Sequence, residues 1–228
     1  MIDIINGDSI EIMREMEAES IDSIVTDPPY MQNYKTNHRK NKDDDFCSPI
    51  KNDINSERMI TLFINEAYRV LKDNAAMLCF CNTNKIDFFK QEIEHAGFKI
   101  KNIIVWEKNN HTAGDLKAAL GHTYEFIILA NKGRRLINGK RDTDIVRFNR
   151  VAGNKQVHQN QKPVELMSYL LEKWTDQGDL VLDPFMGSGS TGVAAKIGGR
   201  NFIGIEIEKR YCKLAESRLK ELAVHQGD

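Results

Sequence analysis

The chain has 228 residues, with 32 Lys plus Arg against 33 Asp plus Glu and a formal net charge of −1. This length suits one large α/β domain with a substantial core, and 41% hydrophobic and 29% charged residues are ordinary for a soluble globular protein. No stretch approaches the ~20 apolar residues that cross a bilayer, and the opening MIDIINGDSIEIM lacks the basic and apolar pattern of a signal peptide. The expectation is one cytoplasmic domain, 1–228, with no membrane partner. Near-zero net charge excludes a generic polycation that coats nucleic acid, but not an uneven charge distribution. Cys47, Cys79, Cys81 and Cys212 are scattered without zinc spacing, so no metal is expected.

Apolar, strand-like runs occur at Ile2–Ile5, Ile21–Val25, Ala76–Cys81, Ile100–Trp106, Tyr124–Ala130, Leu180–Leu182 and Phe202–Ile205. Several are nearly continuous, as in a sheet covered on both faces. In AMLCFC, alternation puts Cys79 and Cys81 on one face, as buried thiols. Helical periodicity lies between the runs. Met59, Phe63, Ala67, Val70 and Leu71 form one stripe; Ile86, Phe89, Ile93 and Ala96 form another, with Asn84 as its expected N-cap and Gly97 as its C-cap. Pro163 opens a helix carrying Leu166, Leu170, Leu171 and Trp174. Tyr211, Leu214, Arg218 and Leu222 mark a last amphipathic helix. The alternation predicts a doubly wound α/β fold on a seven-stranded, mostly parallel sheet.

Two polar stretches interrupt this pattern. Residues 31–55 read as a flexible loop with a basic half followed by three aspartates. Residues 131–162 hold nine cations against Asp142 and Asp144, a local net charge of +7. A solvated insertion explains either stretch, but such lengths in a compact domain also fit an electrostatic footprint for a phosphate backbone.

LVLDPFMGSGSTG at 180–192 reads as strand, turn and helix. Gly187, Gly189 and Gly192 satisfy G-x-G-x-x-G, and Glu206 follows at the end of the next strand, NFIGIE. Glycines allow a tight turn and close approach of a ligand, and a carboxylate at that distance can accept from ribose hydroxyls. A pyrophosphate binder places its first glycine directly after the strand. Here Asp183, Pro184, Phe185 and Met186 intervene. An acidic group repels pyrophosphate but suits a cationic amino-acid moiety, which favours S-adenosylmethionine over NAD. The lysine of a phosphate-binding loop is missing as well.

Thr26-Asp27-Pro28-Pro29-Tyr30 ends the strand that starts at Ile21. Two prolines remove two backbone donors and stiffen the turn. A carboxylate and a proline carbonyl can then accept from one planar amine, while Tyr30 offers a face for stacking the base that carries it. A rigid strand-to-loop turn is the plainer reading of the same residues.

DPPY at 27–30, DPFMGSG at 183–189 and HQNQKP at 158–163 together resemble the DNA amino-methyltransferases that make N6-methyladenine or N4-methylcytosine, in the permuted order called the β group. The resemblance runs from the Asn6-Gly7-Asp8-Ser9 turn to Tyr211 and implies a Rossmann-like methyltransferase domain. Its cofactor part is 162–210, and a basic segment, 109–161, includes a short target-recognition region. By the same resemblance Asp27, Pro28, Pro29 and Tyr30 are catalytic. Asp8, Asp27, Lys162, Asp183, Phe185, Gly187, Ser188, Gly189 and Glu206 bind S-adenosylmethionine, while His158 is as well explained by capping as by ligand contact. Lys108 and Asn109 can line the target pocket, and Trp106 belongs to the core. Double-stranded DNA is the implied partner, with Lys35, Arg39, Lys40, Lys108, Arg134, Arg135, Arg147 and Arg150 as candidate contacts. A homodimer is implied as well, because the family often pairs. Aspartate leading the tetrapeptide favours adenine, with cytosine N4 as the alternative. No Pro-Cys dipeptide supplies the nucleophile of a cytosine-C5 enzyme. An NAD-dependent oxidoreductase and a catalytically silent nucleic-acid reader are the rival classes.

Overall fold

A computed structural model describes residues 1–29, 57–111, 117–151 and 161–224. Its centre is an eight-stranded sheet formed by β1 (Ile2–Asn6), β2 (Ile21–Thr26), β3 (Leu71–Cys81), β4 (Lys99–Glu107), β5 (Tyr124–Lys132), β6 (Ile145–Arg147), β7 (Leu180–Asp183) and β8 (Asn201–Glu206). The strands lie in the order β1-β8-β7-β2-β3-β5-β4-β6. All neighbours pair in parallel except β5, which runs antiparallel to both β3 and β4.

The doubly wound expectation holds, with eight strands rather than seven. The additional strand, β6, is three residues long and buries only Val146, too little for a periodic signal. A second difference concerns Leu71, which closes an apolar stripe in sequence but opens β3 in space. The pairing of β3 with β2 is irregular between Leu71 and Ala76, where Asn74 takes a positive φ of 60°.

Six helices cover the sheet: α1 (Ser9–Glu15), α2 (Glu57–Val70), α3 (Ile86–His95), α4 (Val164–Trp174), α5 (Ser190–Ile197) and α6 (Lys209–Val224). On one face Ile10, Met13, Phe63, Ala67, Phe89 and Ile93 pack on Met77, Cys79 and Cys81. On the other Leu166, Leu170, Leu171, Trp174, Ala194 and Ala215 pack on Ala76, Leu78 and Phe80. Both faces of β3 are therefore buried, which is why its sequence reads as a continuous apolar run. Burial of side chains such as Phe63 and Leu170 contributes ~1.5–3 kcal/mol each.

Local sequence sets the helix ends. Asp8 accepts from the N–H groups of Ile10 and Glu11 at 2.8 and 3.2 Å and so caps α1. Before α3 the capping side chain is Asn82, two residues ahead of the expected Asn84. Its carboxamide oxygen accepts from Lys85 N–H at 3.0 Å and caps a single 3-10 turn, Thr83–Lys85, from which α3 continues. Gly97 ends α3 at φ +105°, with its N–H on Glu94. In α6 the buried residues are Cys212, Ala215 and Leu219, one step round from the stripe read in sequence.

Helices α1, α2 and α3 lie against one face and α4, α5 and α6 against the other. The helix after β2 and the helix after β7 therefore leave from opposite sides of two paired strands. This is a topological switch point, where α/β sheets open a crevice at the carboxyl ends of their strands. Thr26-Asp27 and Asp183 both end there.

Candidate active site

The ends of β2 and β7 are tied by side chains. Thr26 donates its hydroxyl to Asp183 Oδ1 at 2.8 Å, and Thr191, in the first turn of α5, donates to Asp183 Oδ2 at 2.6 Å. The Phe185 N–H also reaches Oδ1, at 3.2 Å. Burial pushes the Asp183 carboxyl up to about 6 against these three donors, with the nearby Asp27 charge adding to the rise. Asp183 is 4% exposed and braces the turn through these bonds.

The glycine-rich turn is shaped by backbone conformations that only glycine adopts without strain. Gly187 and Gly189 have φ of +54° and +78°, and Gly189 is the residue from which α5 starts. Gly192 serves packing: a Cβ there would lie 2.7 Å from the Phe202 ring. The turn is held from below by Met186 N–H on the Ile205 carbonyl at 3.0 Å. From α6, Arg218 donates to the carbonyl and hydroxyl of the buried Ser188. Phe185 packs edge-on against Phe63, with ring centroids 5.1 Å apart.

Glu206 closes the glycine-rich turn from β8. Its Oε2 accepts the Gly187 N–H at 2.9 Å and its Oε1 the Glu208 N–H at 2.8 Å. Burial raises its pKa while these backbone donors oppose the rise. Asp8 stands at the end of β1, beside β8, where Gly7 N–H bonds the Glu206 carbonyl at 3.1 Å. Its Oδ1 is engaged in capping α1.

Around Asp27 the structure shows a chain of alternating charges. Asp27 Oδ2 lies 2.6 Å from Lys162 Nζ, which is also 2.9 Å from Glu125 Oε2. The other Glu125 oxygen, Oε1, pairs with Lys108. Lys162 Nζ stands 4.8 Å from the centroid of the Phe80 ring. Burial alone would pull the Lys162 ammonium down; the Asp27 and Glu125 carboxylates overcome it and hold it above the ordinary lysine range. Burial likewise favours a neutral Glu125, but Lys162 and Lys108 bring its carboxyl down to about 2. Beneath this chain burial pushes the Cys81 thiol up to about 12, helped by Asp27 and Glu125. Both Cys79 and Cys81 are buried on one face, as their alternation predicts. Pro28 is buried and Pro29 half-buried beside Asp27.

The ammonium of Lys162, which the resemblance assigns to the cofactor, contacts Asp27. Glu125, Thr26, Thr191 and Arg218 were not singled out as site residues. Glu125 had a signal, a lone carboxylate inside the apolar run YEFIILA. Tyr30, Lys35, Arg39, Lys40 and His158 lie outside the described residues. Trp106 is core, 2% exposed, with its indole N–H on the Phe148 carbonyl at 2.8 Å.

The basic segment does not form one patch. Tyr124 pairs with Glu107 at the carboxyl ends of the parallel strands, whereas Asn131 pairs with Lys99 at the other end, so the nine residues of β5 carry the chain roughly 27 Å along the sheet, from beyond the level of Asp27 to its opposite end. Arg134 and Arg135 follow on that far edge, where Arg135 meets Asp176 at 3.0 Å. Lys132 pairs with Glu19. The chain then returns through β6, which places Arg147 opposite Glu107, and the two side chains pair at 2.8 Å. Arg150 is exposed nearby, with its N–H on Asn109. Of the cations in the +7 segment, Lys132, Arg135, Arg147 and Lys162 are thus matched by acids from elsewhere in the chain, and Lys108 is committed to Glu125. Among the described residues no cluster of His, Cys, Asp or Glu has the form of a metal site, and no helix is long and apolar enough to cross a membrane.

The family model described as DNA methylase (N6_N4_Mtase) matches residues 21–217. The Type II methyltransferase M2.MboI of Moraxella bovis is 33% identical over 96% of this chain and 88% of its own length. The DNA adenine methyltransferase YhdJ of Escherichia coli (strain K12) is 30% identical over 97% of this chain and 83% of its own. Among solved structures, the M1.HpyAVI-SAM complex superposes with a TM-score of 0.73 at 29% identity, covering 96% of this chain and 100% of that one. The α/β sheet, the Asp27-Pro28 turn beside the glycine-rich turn and these matches agree: the chain belongs to the N6/N4 DNA methylase family.

Proposed function

We propose that this protein transfers a methyl group from S-adenosylmethionine to the exocyclic N6 amine of adenine in double-stranded DNA, acting on a base flipped out of the duplex. The observation that carries this reading is the juxtaposition of Asp27-Pro28 with the Asp183–Gly189 turn on two paired strands, tied through Thr26 and Asp183. Aspartate at the head of the tetrapeptide favours adenine over cytosine.

The residues present fit the cofactor. A carboxylate offers about four lone-pair directions, so Glu206, which accepts two N–H groups, retains capacity for the two ribose hydroxyls. Gly187 and Gly189 give the close backbone approach that an adenosine and a methionine chain require. Phe185, Ser188 and the Asp8 turn complete that side, and Asp183 supports it from within. When bound, S-adenosylmethionine supplies an electrophilic methyl group on a sulfonium. Asp27 and the Pro28 carbonyl accept the two N–H bonds of the target amine, which fixes its plane and leaves its nitrogen lone pair directed at the methyl carbon. Tyr30 stacks on the extruded base, offsetting part of the few kcal/mol that extrusion costs. Positioning supplies most of the rate, so no covalent enzyme intermediate is needed. Arg147 and Arg150, at the edge of the sheet that carries Asp27, are the described cations best placed for backbone phosphates.

The test is incubation with labelled S-adenosylmethionine and mixed-sequence duplex DNA, followed by separation of nucleosides. N6-methyladenine is the expected product. Label in N4-methylcytosine would replace adenine by cytosine as the target, and DNA binding without label would turn the protein into a reader.

A further inference from the structure

Glu125 has no part in the motifs that identify the family, yet it is the hub of the charge chain behind Asp27. The strand carrying it is the reversed one, which is why a residue second in β5 stands just beyond the carboxyl end of β2. Its two oxygens divide between two lysines, Lys162 through Oε2 and Lys108 through Oε1. Lys162 in turn divides between Glu125 and Asp27. The cluster carries two negative and two positive charges, and three of its members have side chains no more than 21% exposed while Lys162 is 8% exposed.

Such a cluster constrains each member. An ammonium with a single carboxylate partner in a low-dielectric site draws that carboxylate tightly onto itself. With Glu125 removed, Lys162 would lose one of these two carboxylates and Asp27 would turn toward the ammonium, in competition with the amine it has to hold. With Glu125 present, the lysine is anchored from the far side.

We propose that Glu125 is a positioning residue of methyl transfer: by sharing Lys162 with Asp27, it fixes the lysine against Phe80 so that the Asp27 carboxylate stays aimed at the target amine. This rests on the reading of Asp27 as the amine-holding residue. The charged groups around Lys162 are Asp27 after β2, Glu125 from β5, Lys108 after β4, and more distantly Asp183 from β7, with the Cys81 thiol of β3 beneath. Asp27 and Glu125 are its carboxylate partners among the described residues. Loss of one of its two carboxylates lets burial act on the lysine, so its proton becomes removable at lower pH.

The experiment compares wild type with Glu125→Gln, which keeps the shape and removes the charge. Three quantities are read: kcat on duplex DNA, the dissociation constant for S-adenosylhomocysteine, and the pH profile of kcat between pH 6 and 10. Expected is a fall in kcat of about tenfold to a hundredfold, cofactor affinity within about threefold of wild type, and an alkaline fall in kcat at lower pH than wild type shows. Lys108→Met, which frees one Glu125 oxygen but leaves the Lys162 contact, is expected to lose less. Equal kcat and an unchanged pH profile in Glu125→Gln would overturn the proposal. So would a matched loss of kcat and cofactor affinity, which marks a collapsed site. A wild-type enzyme that methylates nothing would instead overturn the functional reading beneath it.

Discussion

Asp27-Pro28 and Asp183-Pro184 end neighbouring strands with the same dipeptide, yet the two carboxylates live differently. Asp27 meets an ammonium at 2.6 Å and stays 19% exposed at its side chain. Asp183 meets two hydroxyls and an N–H, pairs with no cation among the described residues, and is pushed up to about 6 by burial. A neighbouring cation favours an ionised oxygen that can recruit a ligand donor. Enclosure by hydroxyls makes a brace whose charge is a cost. The dipeptide sets the turn; the partners set what the carboxylate does.

The largest expected effect tests the exposed member. Asp27→Asn should lower methyl transfer by about a hundredfold to a thousandfold, the scale seen on removing one preorganised polar group, while leaving S-adenosylhomocysteine binding intact by calorimetry. Comparable loss of cofactor binding would break the contrast. Next, Thr26→Val removes one donor from the enclosed carboxylate and should destabilise the fold by about 1–3 kcal/mol in denaturant titration. A silent substitution would show that the tie between β2 and β7 carries no load.

The pH dependence of the brace sharpens the comparison further. A carboxyl whose folded pKa lies above its unfolded value is favourable while protonated and becomes a cost as pH rises from about 4 to about 6. The melting temperature of Asp183→Asn relative to wild type should therefore rise by a few degrees between pH 4 and 7, as shifts of this size do in domains of such length. A flat difference would contradict it. The smallest effect concerns the two edges of the sheet. Replacing Arg147 or Arg150 by Ala should reduce the salt slope of DNA binding by about one each, as for a phosphate contact, while Arg134→Ala leaves it unchanged. Equal slopes in all three variants would restore a single basic footprint.

Seven strands were legible because each buries apolar side chains in a run, and the two motif turns because prolines and glycines there serve backbone geometry. What escaped was spatial. β6 has one buried residue and no period. Asn82 and Asn84 both stand ahead of the same helix, and only the 3-10 turn decides which one caps. Sequence proximity merged Arg134 with Arg150, whereas the reversal of β5 sends them to opposite edges. Lys162 was visible beside Pro163, but its partners Asp27 and Glu125 are 135 and 37 residues away, and pairing at that separation leaves no mark in one sequence. Glu125 was the readable exception, a charge where the strand wanted an apolar residue.

The reversed strand has one more consequence. Because β4 and β5 are antiparallel neighbours, the excursion between Glu107 and Tyr124 is rooted on two ends that already touch. Its length can double for ~0.6 kcal/mol of closure entropy, without shifting either root or the glycine-rich turn three strands away. The segment between those roots is thus free to be rewritten while the glycine-rich turn keeps its place.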